Sequence, residues 1–286
     1  MKILKYFIEF IFIIFLFTLF KILGFKLSSK IGGQIGKLFG PFFRSRKKIL
    51  LNVKKAFPNI EEKKLELIIN NMWKNYGRIL SEYMFIKNFR NSKLGSFFTV
   101  EGQEILNEIN SSNEQVIFVS GHFNNFELMA MQIEKSGINL AAIYRPLNNI
   151  FLNKIMERIR KKYICKNQIK KGRSGTRELL ESFKKKNSIA LMIDQRVSEG
   201  IRSNFFNEPA LTTTIPAQLV KKFGCKVVPI YIERINDIYF KMTVNKPIIY
   251  DKITTLEEIT LDLNKKLEKM ILLNPDQWIW SHNRWK

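Results

Sequence analysis

The sequence predicts an α/β fold: a largely parallel central sheet flanked by helices, with an N-terminal membrane-anchoring helix and a helical N-terminal region. Three observations predict it. From Gly95 onward, short apolar runs alternate with amphipathic helical spacing, the pattern of strand–helix–strand units. Residues 27 to about 95 carry helical spacing only. Residues 7–25, FIEFIFIIFLFTLFKILGF, are apolar almost throughout. The expected organisation is an anchor helix over 1–25, a helical region over 26–95 and an α/β domain over 96–286.

The anchor comes first. Its charge-free stretch runs only from Phe10 to Phe20, between Glu9 and Lys21. That length of helix covers about 16 Å, half of the ~30 Å bilayer core. Spanning requires a neutral Glu9 and a snorkelling Lys21, whereas lying in the interface requires neither. No small-residue cleavage site follows at Gly24-Phe25-Lys26-Leu27. Lys26, Lys30, Lys37, Arg44, Arg46, Lys47 and Lys48 follow the segment, against Lys2 and Lys5 before it. This asymmetry keeps the body of the protein on the cytoplasmic face in either arrangement. The run Arg44-Ser45-Arg46-Lys47-Lys48 suits contact with anionic headgroups. An ordinary buried helix with a solvated basic face is the plainer alternative.

Helices are expected next over 60–73 and 75–87. Strands are expected over 97–101, 115–120, 139–144, 188–194 and 226–233, with a last one over 239–245 after a turn. The helices between them cover 124–136, ended by Gly137; 149–162; 174–186; and 214–223, ended by Gly224. A closing helix covers about 255–273.

The net charge of +23, from 48 basic against 25 acidic residues, favours anionic partners: nucleic acid, anionic lipid or an acidic protein. Part of it is background from a Lys-, Asn- and Ile-rich composition. Cys165 and Cys225 lie far apart and lack metal spacing, which points to a reducing compartment. With only two histidines in the chain, no metal site is expected.

One of those histidines stands where an α/β sheet places its chemistry. In Val119-Ser120-Gly121-His122-Phe123-Asn124-Asn125-Phe126-Glu127, His122 follows a strand and precedes a helix. If His122 lies in the turn and Asn124 or Asn125 caps the helix, Glu127 falls in the first turn beside it. A carboxylate there sets the imidazole tautomer and stabilises the imidazolium. No Gly-x-Ser-x-Gly elbow supplies a protein nucleophile. The pair then suits a reaction in which the histidine deprotonates a substrate hydroxyl that attacks an activated acyl group. The competing reading is a hydrogen-bonded histidine and a glutamate complementing a helix dipole.

GHFNNFE resembles the His-x-x-x-x-(Asp/Glu) motif of the lysophospholipid acyltransferase superfamily, and the chain more narrowly resembles the late (lauroyl/myristoyl) acyltransferases of lipid A biosynthesis. Ile143-Tyr144-Arg145-Pro146-Leu147-Asn148-Asn149 is similar to that family's Arg-Pro segment, and Leu191-Met192-Ile193-Asp194-Gln195 to its strand ending in Asp-Gln. Phe205-Phe206-Asn207-Glu208-Pro209-Ala210, Ala217, Val227-Val228-Pro229-Ile230 and the Trp-rich run Trp278 to Lys286 follow in the same order. Asn124 and Phe126 stand where the family usually has Gly and Trp, and Asn125 is kept.

The resemblance implies His122 as general base with Glu127 as its orienter. It also implies a lipid A precursor hydroxyl as acceptor, and a fatty acyl thioester on acyl carrier protein (or coenzyme A) as donor, with no cofactor. It implies a bacterial inner-membrane enzyme with its catalytic domain on the cytoplasmic side. Asn125 is a further candidate for substrate binding. Arg145 closes a strand, where it either binds a phosphate or pairs with a carboxylate. Asp194 and Gln195 end another strand, to bind sugar hydroxyls or order a loop. Arg196 and Arg202 either meet substrate phosphate or are solvated, and His282 is read as structural or membrane-facing. Three alternatives stand beside this reading. One is acyl transfer to a glycerophospholipid, ornithine lipid or phosphoinositol glycolipid. A hydrolase using the same pair is another. The third is a nonenzymatic basic protein binding membrane or nucleic acid; no nucleic-acid motif supports the last partner.

Overall fold

The structure, a computed structural model, describes residues 2–286, with the side chains of residues 173 and 174 outside the description. Helices dominate the first third: α1 (Lys2–Leu23), α2 (Phe25–Phe39), α3 (Arg46–Ala56), α4 (Glu62–Glu82) and α5 (Ile86–Arg90). Strands and helices then alternate: β1 (Phe98–Glu101), α6 (Gln103–Ser112), β2 (Val116–Ser120), α7 (Glu127–Lys135), β3 (Leu140–Tyr144), α8 (Ile150–Tyr163), β4 (Asn167–Lys170), α9 (Arg173–Lys184) and β5 (Ser188–Met192). After these come β6 (Ile201–Phe205), β7 (Glu208–Thr212), α10 (Ile215–Phe223), β8 (Lys226–Ile235), β9 (Tyr239–Val244) and α11 (Leu256–Leu273).

Seven strands form one sheet in the order β1-β9-β8-β2-β5-β3-β4. β8, β2, β5, β3 and β4 run parallel. β9 turns back antiparallel to β8, and β1 joins β9 in parallel. β2 (VIFVS) is buried at every residue, as expected of a central parallel strand covered on both faces. The alternating pattern therefore predicts the class correctly.

Several elements depart from the sequence reading. The two helices expected over 60–73 and 75–87 are one helix, α4, followed by a short 3-10 turn (Tyr83–Phe85) and α5. Gly77 does not break α4. It lets α2 approach closely, because a Cβ there would collide with the Gly32 carbonyl oxygen and stand 2.7 Å from Gly36. α6, β4 and the β6–β7 hairpin are additional elements. β4 (NQIK) is a polar edge strand without an apolar run. The hairpin turns through Phe206 (φ 52°) and Asn207 (φ 59°), both left-handed, without the glycine that usually marks such a turn.

One core runs through the whole chain. Ile49, Leu65, Met72 and Trp73 of the helical region join the buried faces of the sheet, Trp278 and Trp280. A buried ion network ties the same regions together. Fully buried Glu82 of α4 binds the Arg234 guanidinium in two bonds of 2.6 and 3.0 Å and accepts from the Ser29 hydroxyl of α2 at 2.6 Å. Asn125 reaches the same carboxylate at 3.4 Å. The Trp-rich terminus folds inward: Trp278, Trp280 and Arg284 are fully buried, so this segment is structural and does not face a bilayer.

Candidate active site

The site is built where β2 and β5 end side by side. Their parallel register pairs Ser120 with Met192, and the Ile193 N–H donates to the Ser120 carbonyl at 2.9 Å. Two residues further along each chain, His122 faces Asp194. The His122 Nδ1 lies 2.7 Å from Asp194 Oδ1, and the His122 backbone N–H donates to Oδ2 at 2.8 Å. The Trp278 indole N–H donates to the same oxygen at 2.9 Å. Asp194 is fully buried. Burial by itself pushes its carboxyl up, but the facing His122 and the bonds from His122 and Trp278 outweigh burial and hold it at about 2.

This geometry assigns the ring's protons. An ionised carboxylate only accepts, so Nδ1 carries a hydrogen, and in the neutral ring the lone pair lies on Nε2. Among the described residues no hydrogen bond reaches Nε2, and the side chain is 22% exposed. Phe126 stacks edge-on against the ring, with centroids 4.9 Å apart, and restrains its tilt. The result is an oriented ring with Nε2 open at the carboxyl ends of the central strands.

Among the described residues, no hydrogen bond joins Glu127, expected to orient the ring, to His122. The glutamate begins α7, where the helix dipole favours a carboxylate, but its Oε1 is occupied by Arg160 of α8, with Nε at 2.8 Å and Nη2 at 2.6 Å. Both side chains are largely buried. Burial opposes the Arg160 charge, yet Glu127 and the neighbouring Tyr83 more than offset it and raise the guanidinium above its ordinary value. The same guanidinium lies 5.7 Å over the Tyr144 ring. The pair pins α8 to the start of α7 behind the histidine.

The other candidates divide. Asp194 is sealed beneath the histidine with both oxygens engaged, so it serves the ring and not a sugar hydroxyl. Asn125 is fully buried against Glu82, and neither it nor Asn124 caps α7; Phe126 holds the cap position without a side-chain bond. Arg145, just past β3, is exposed and has no carboxylate partner among the described residues. Gln195 is half-buried directly after Asp194. Arg196 is turned to the terminus: its guanidinium donates to the Lys286 carbonyl at 3.1 Å and its backbone N–H to His282 Nε2 at 3.0 Å. Arg202 is exposed on the β6–β7 hairpin, off the main sheet. His282 is structural; burial pushes its ring down to about 4, so it is a neutral acceptor for the Arg196 amide.

Trp278, Arg160 and Tyr83 surround these groups; sequence reasoning met Trp278 only as part of the Trp-rich terminal run and did not single out the other two. The pairing of two strands both predicted to end near chemistry was the one available signal for the His122–Asp194 contact.

A mostly parallel α/β sheet with a solvent-facing histidine at its strand ends, bonded to a buried carboxylate, and an apolar N-terminal helix define the class by fold and site. The chain belongs to the bacterial lipid A biosynthesis acyltransferase family, whose model matches residues 1–286, and it is an acyltransferase. It is 25% identical over 260 residues to a lipid A biosynthesis palmitoleoyltransferase of Escherichia coli, covering 90% of this chain and 84% of that one. A lipid A biosynthesis lauroyltransferase of the same organism is 24% identical over 266 residues, with the same coverage. A solved 1-acyl-sn-glycerophosphate acyltransferase from Thermotoga maritima aligns at 12% identity and a TM-score of 0.41, over 90% of this chain and 100% of that chain.

Proposed function

We propose that the protein moves a fatty acyl chain from an acyl carrier protein thioester to a hydroxyl of a lipid A precursor, on the cytoplasmic face of a bacterial inner membrane. The observation that carries the mechanism is the His122–Asp194 pair, with Nε2 left open. His122 Nε2 takes the hydroxyl proton as the oxygen attacks the thioester carbonyl carbon. Asp194 stabilises the imidazolium that forms. The tetrahedral centre collapses, the C–S bond breaks, and the proton passes from Nε2 to the leaving thiolate. Ester and free thiol balance the reaction without a metal or redox partner.

Family membership and the two relatives above support the acceptor. Exposed Arg145, at the end of β3 two strands from His122, is the candidate for an acceptor phosphate, with Gln195 just past the intervening β5 as a second candidate. The net charge of +23 would attract phosphorylated lipid, an anionic bilayer and an acidic carrier alike.

The test is an acyl-transfer assay with detergent-purified protein. Carrier-protein and coenzyme A thioesters are offered against a lipid A precursor and against phospholipids. The expected product is the precursor plus one acyl chain, lost in His122→Ala. Transfer to phospholipid alone would overturn the acceptor. Transfer unaffected by His122→Ala would overturn the mechanism. Salt-resistant pelleting with membranes tests attachment separately.

A further inference from the structure

We infer that Gln277 is a positioning residue for His122: with Asn124 it clamps the loop that carries the ring, so that one turn of the terminal segment sets how His122 meets Asp194. This rests on His122 as the base of the reaction proposed above and goes beyond it by naming what holds the base in place.

The need for a clamp comes from where His122 lies. The ladder between β2 and β5 closes with the bond from the Ile193 N–H to the Ser120 carbonyl, and α7 begins only at Glu127. Residues 121–126 lie between, in neither strand nor helix. Asn124, two residues past the histidine, is left-handed at φ 41°. A side chain other than glycine keeps that conformation only where surrounding contacts hold it there.

Gln277 supplies those contacts from the far end of the chain. Its carbonyl accepts from the Asn124 N–H at 3.2 Å, and its Oε1 accepts from Asn124 Nδ2. Oε1 also accepts from the Arg234 N–H at 2.8 Å, while Nε2 donates to the Arg234 carbonyl at 3.1 Å. These two backbone partners fix which end of the Gln277 amide is oxygen and seat it on the end of β8. Arg234 Nε in turn donates to Asn124 Oδ1 at 3.2 Å, so both ends of the buried Asn124 amide are engaged. The guanidinium that reaches it is the one held by Glu82.

The next residue holds the other half of the pair. Trp278 donates to Asp194 Oδ2, the oxygen that also takes the His122 N–H. Gln277 therefore fixes the histidine loop and Trp278 the carboxylate, from consecutive positions. The short 3-10 turn that carries Gln277 (Pro275–Gln277) is itself fastened to β8, because Asn274 donates to the Tyr231 hydroxyl and to Glu233, both at 3.0 Å. Loss of the Gln277 side chain frees the left-handed turn, and the ring then leaves Asp194 for part of the time.

The test reads the ring first, without substrate. Detergent-purified protein carrying isotope-labelled histidine is followed by nitrogen NMR at a pH where the rings are neutral, and the His122 signal is identified by its loss in His122→Ala. The wild type is expected to show the Nδ1–H tautomer alone. Gln277→Ala is expected to mix in the Nε2–H tautomer. Asn124→Gly removes the other half of the clamp while suiting the left-handed backbone, so it decides the matter should Gln277→Ala not fold. In the acyl-transfer assay each variant is expected to lose kcat about 10–100-fold with KM little changed. The double variant is expected to lose no more than the worse single one, because both act through one contact. An unchanged tautomer or an unchanged kcat in either folded variant would overturn the inference. So would losses that multiply in the double variant or that simply follow the melting temperature. Absence of transfer in the wild type would instead overturn the reaction proposed above, while the tautomer still decides the clamp.

Discussion

In the proposed mechanism, His122 and Asp194 together set the chemistry at the scale of single residues. Asp194→Asn keeps size and shape but removes the anion that holds Nδ1–H, so the ring loses its tautomer. The expected outcome is a fall in kcat of about 10²–10⁴-fold with the melting temperature little changed, read by steady-state kinetics and calorimetry. Glu127→Gln acts elsewhere. It leaves a buried Arg160 without its counter-charge, so its expected first effect is on stability, by about 3 kcal/mol in chemical denaturation. If Glu127→Gln abolished kcat in a protein of unchanged stability, while Asp194→Asn stayed active, Glu127 would regain the orienting role. His282 supplies a pH prediction. Its folded value of about 4 lies below the ordinary 6.5, so the unfolded chain binds the extra proton between them. Stability from this group is fully present above about pH 6.5 and is lost as pH falls towards 4. A His282→Gln variant should show a flatter melting-temperature profile across that window.

At the scale of elements, the decisive contacts are those that seat one segment on another. α2 and α4 touch backbone to backbone at Gly32, Gly36 and Gly77. Gly77→Ala forces them apart, together with the Ser29–Glu82–Arg234 network that α4 presents to the site loop. The expected cost is about 3 kcal/mol, measured by denaturant unfolding, with activity falling in step. The terminal segment acts as a strap: Trp278 bonds Asp194, and Arg284 bonds the Leu211 carbonyl and Thr212 hydroxyl at 2.7 Å each while lying over Phe205. Trp278→Phe removes one bond to the Asp194 carboxylate while keeping an aromatic ring in the core. It should lower kcat several-fold, about 1 kcal/mol, without unfolding the protein.

For the whole molecule, the proposed attachment to a lipid surface would draw on charge and on apolar surface in different ways. The net charge of +23 acts over roughly a Debye length and is screened by salt, whereas the apolar stripe of α1 is not. Binding to anionic vesicles should therefore slow as salt rises to about 1 M, while protein already bound stays with the pellet. Complete release by salt would leave α1 without a bilayer role.

Class, strand order of appearance and the position of the histidine were legible in the sequence because local patterns specify them. Apolar alternation marks a strand wherever it lies, and the junction of a buried strand with a helix marks where a parallel sheet exposes reactive groups. Strand neighbours are another matter. β2 and β5 are 72 residues apart, and β8 lies on the other side of β2, so nothing local tells His122 that Asp194 is beside it while Glu127, five residues on, is turned to Arg160. The polar edge strand β4, the glycine-free hairpin turn and the contact of Gln277 with Asn124 were hidden for the same reason: pairing and burial decide them, and both are settled between segments distant in the chain. The sequence by itself determined an α/β acyltransferase of this family with an apolar N-terminal helix and His122 at the end of a central strand. Only the tertiary structure decided which carboxylate serves that histidine, because register in a parallel sheet brings together residues that no local spacing connects.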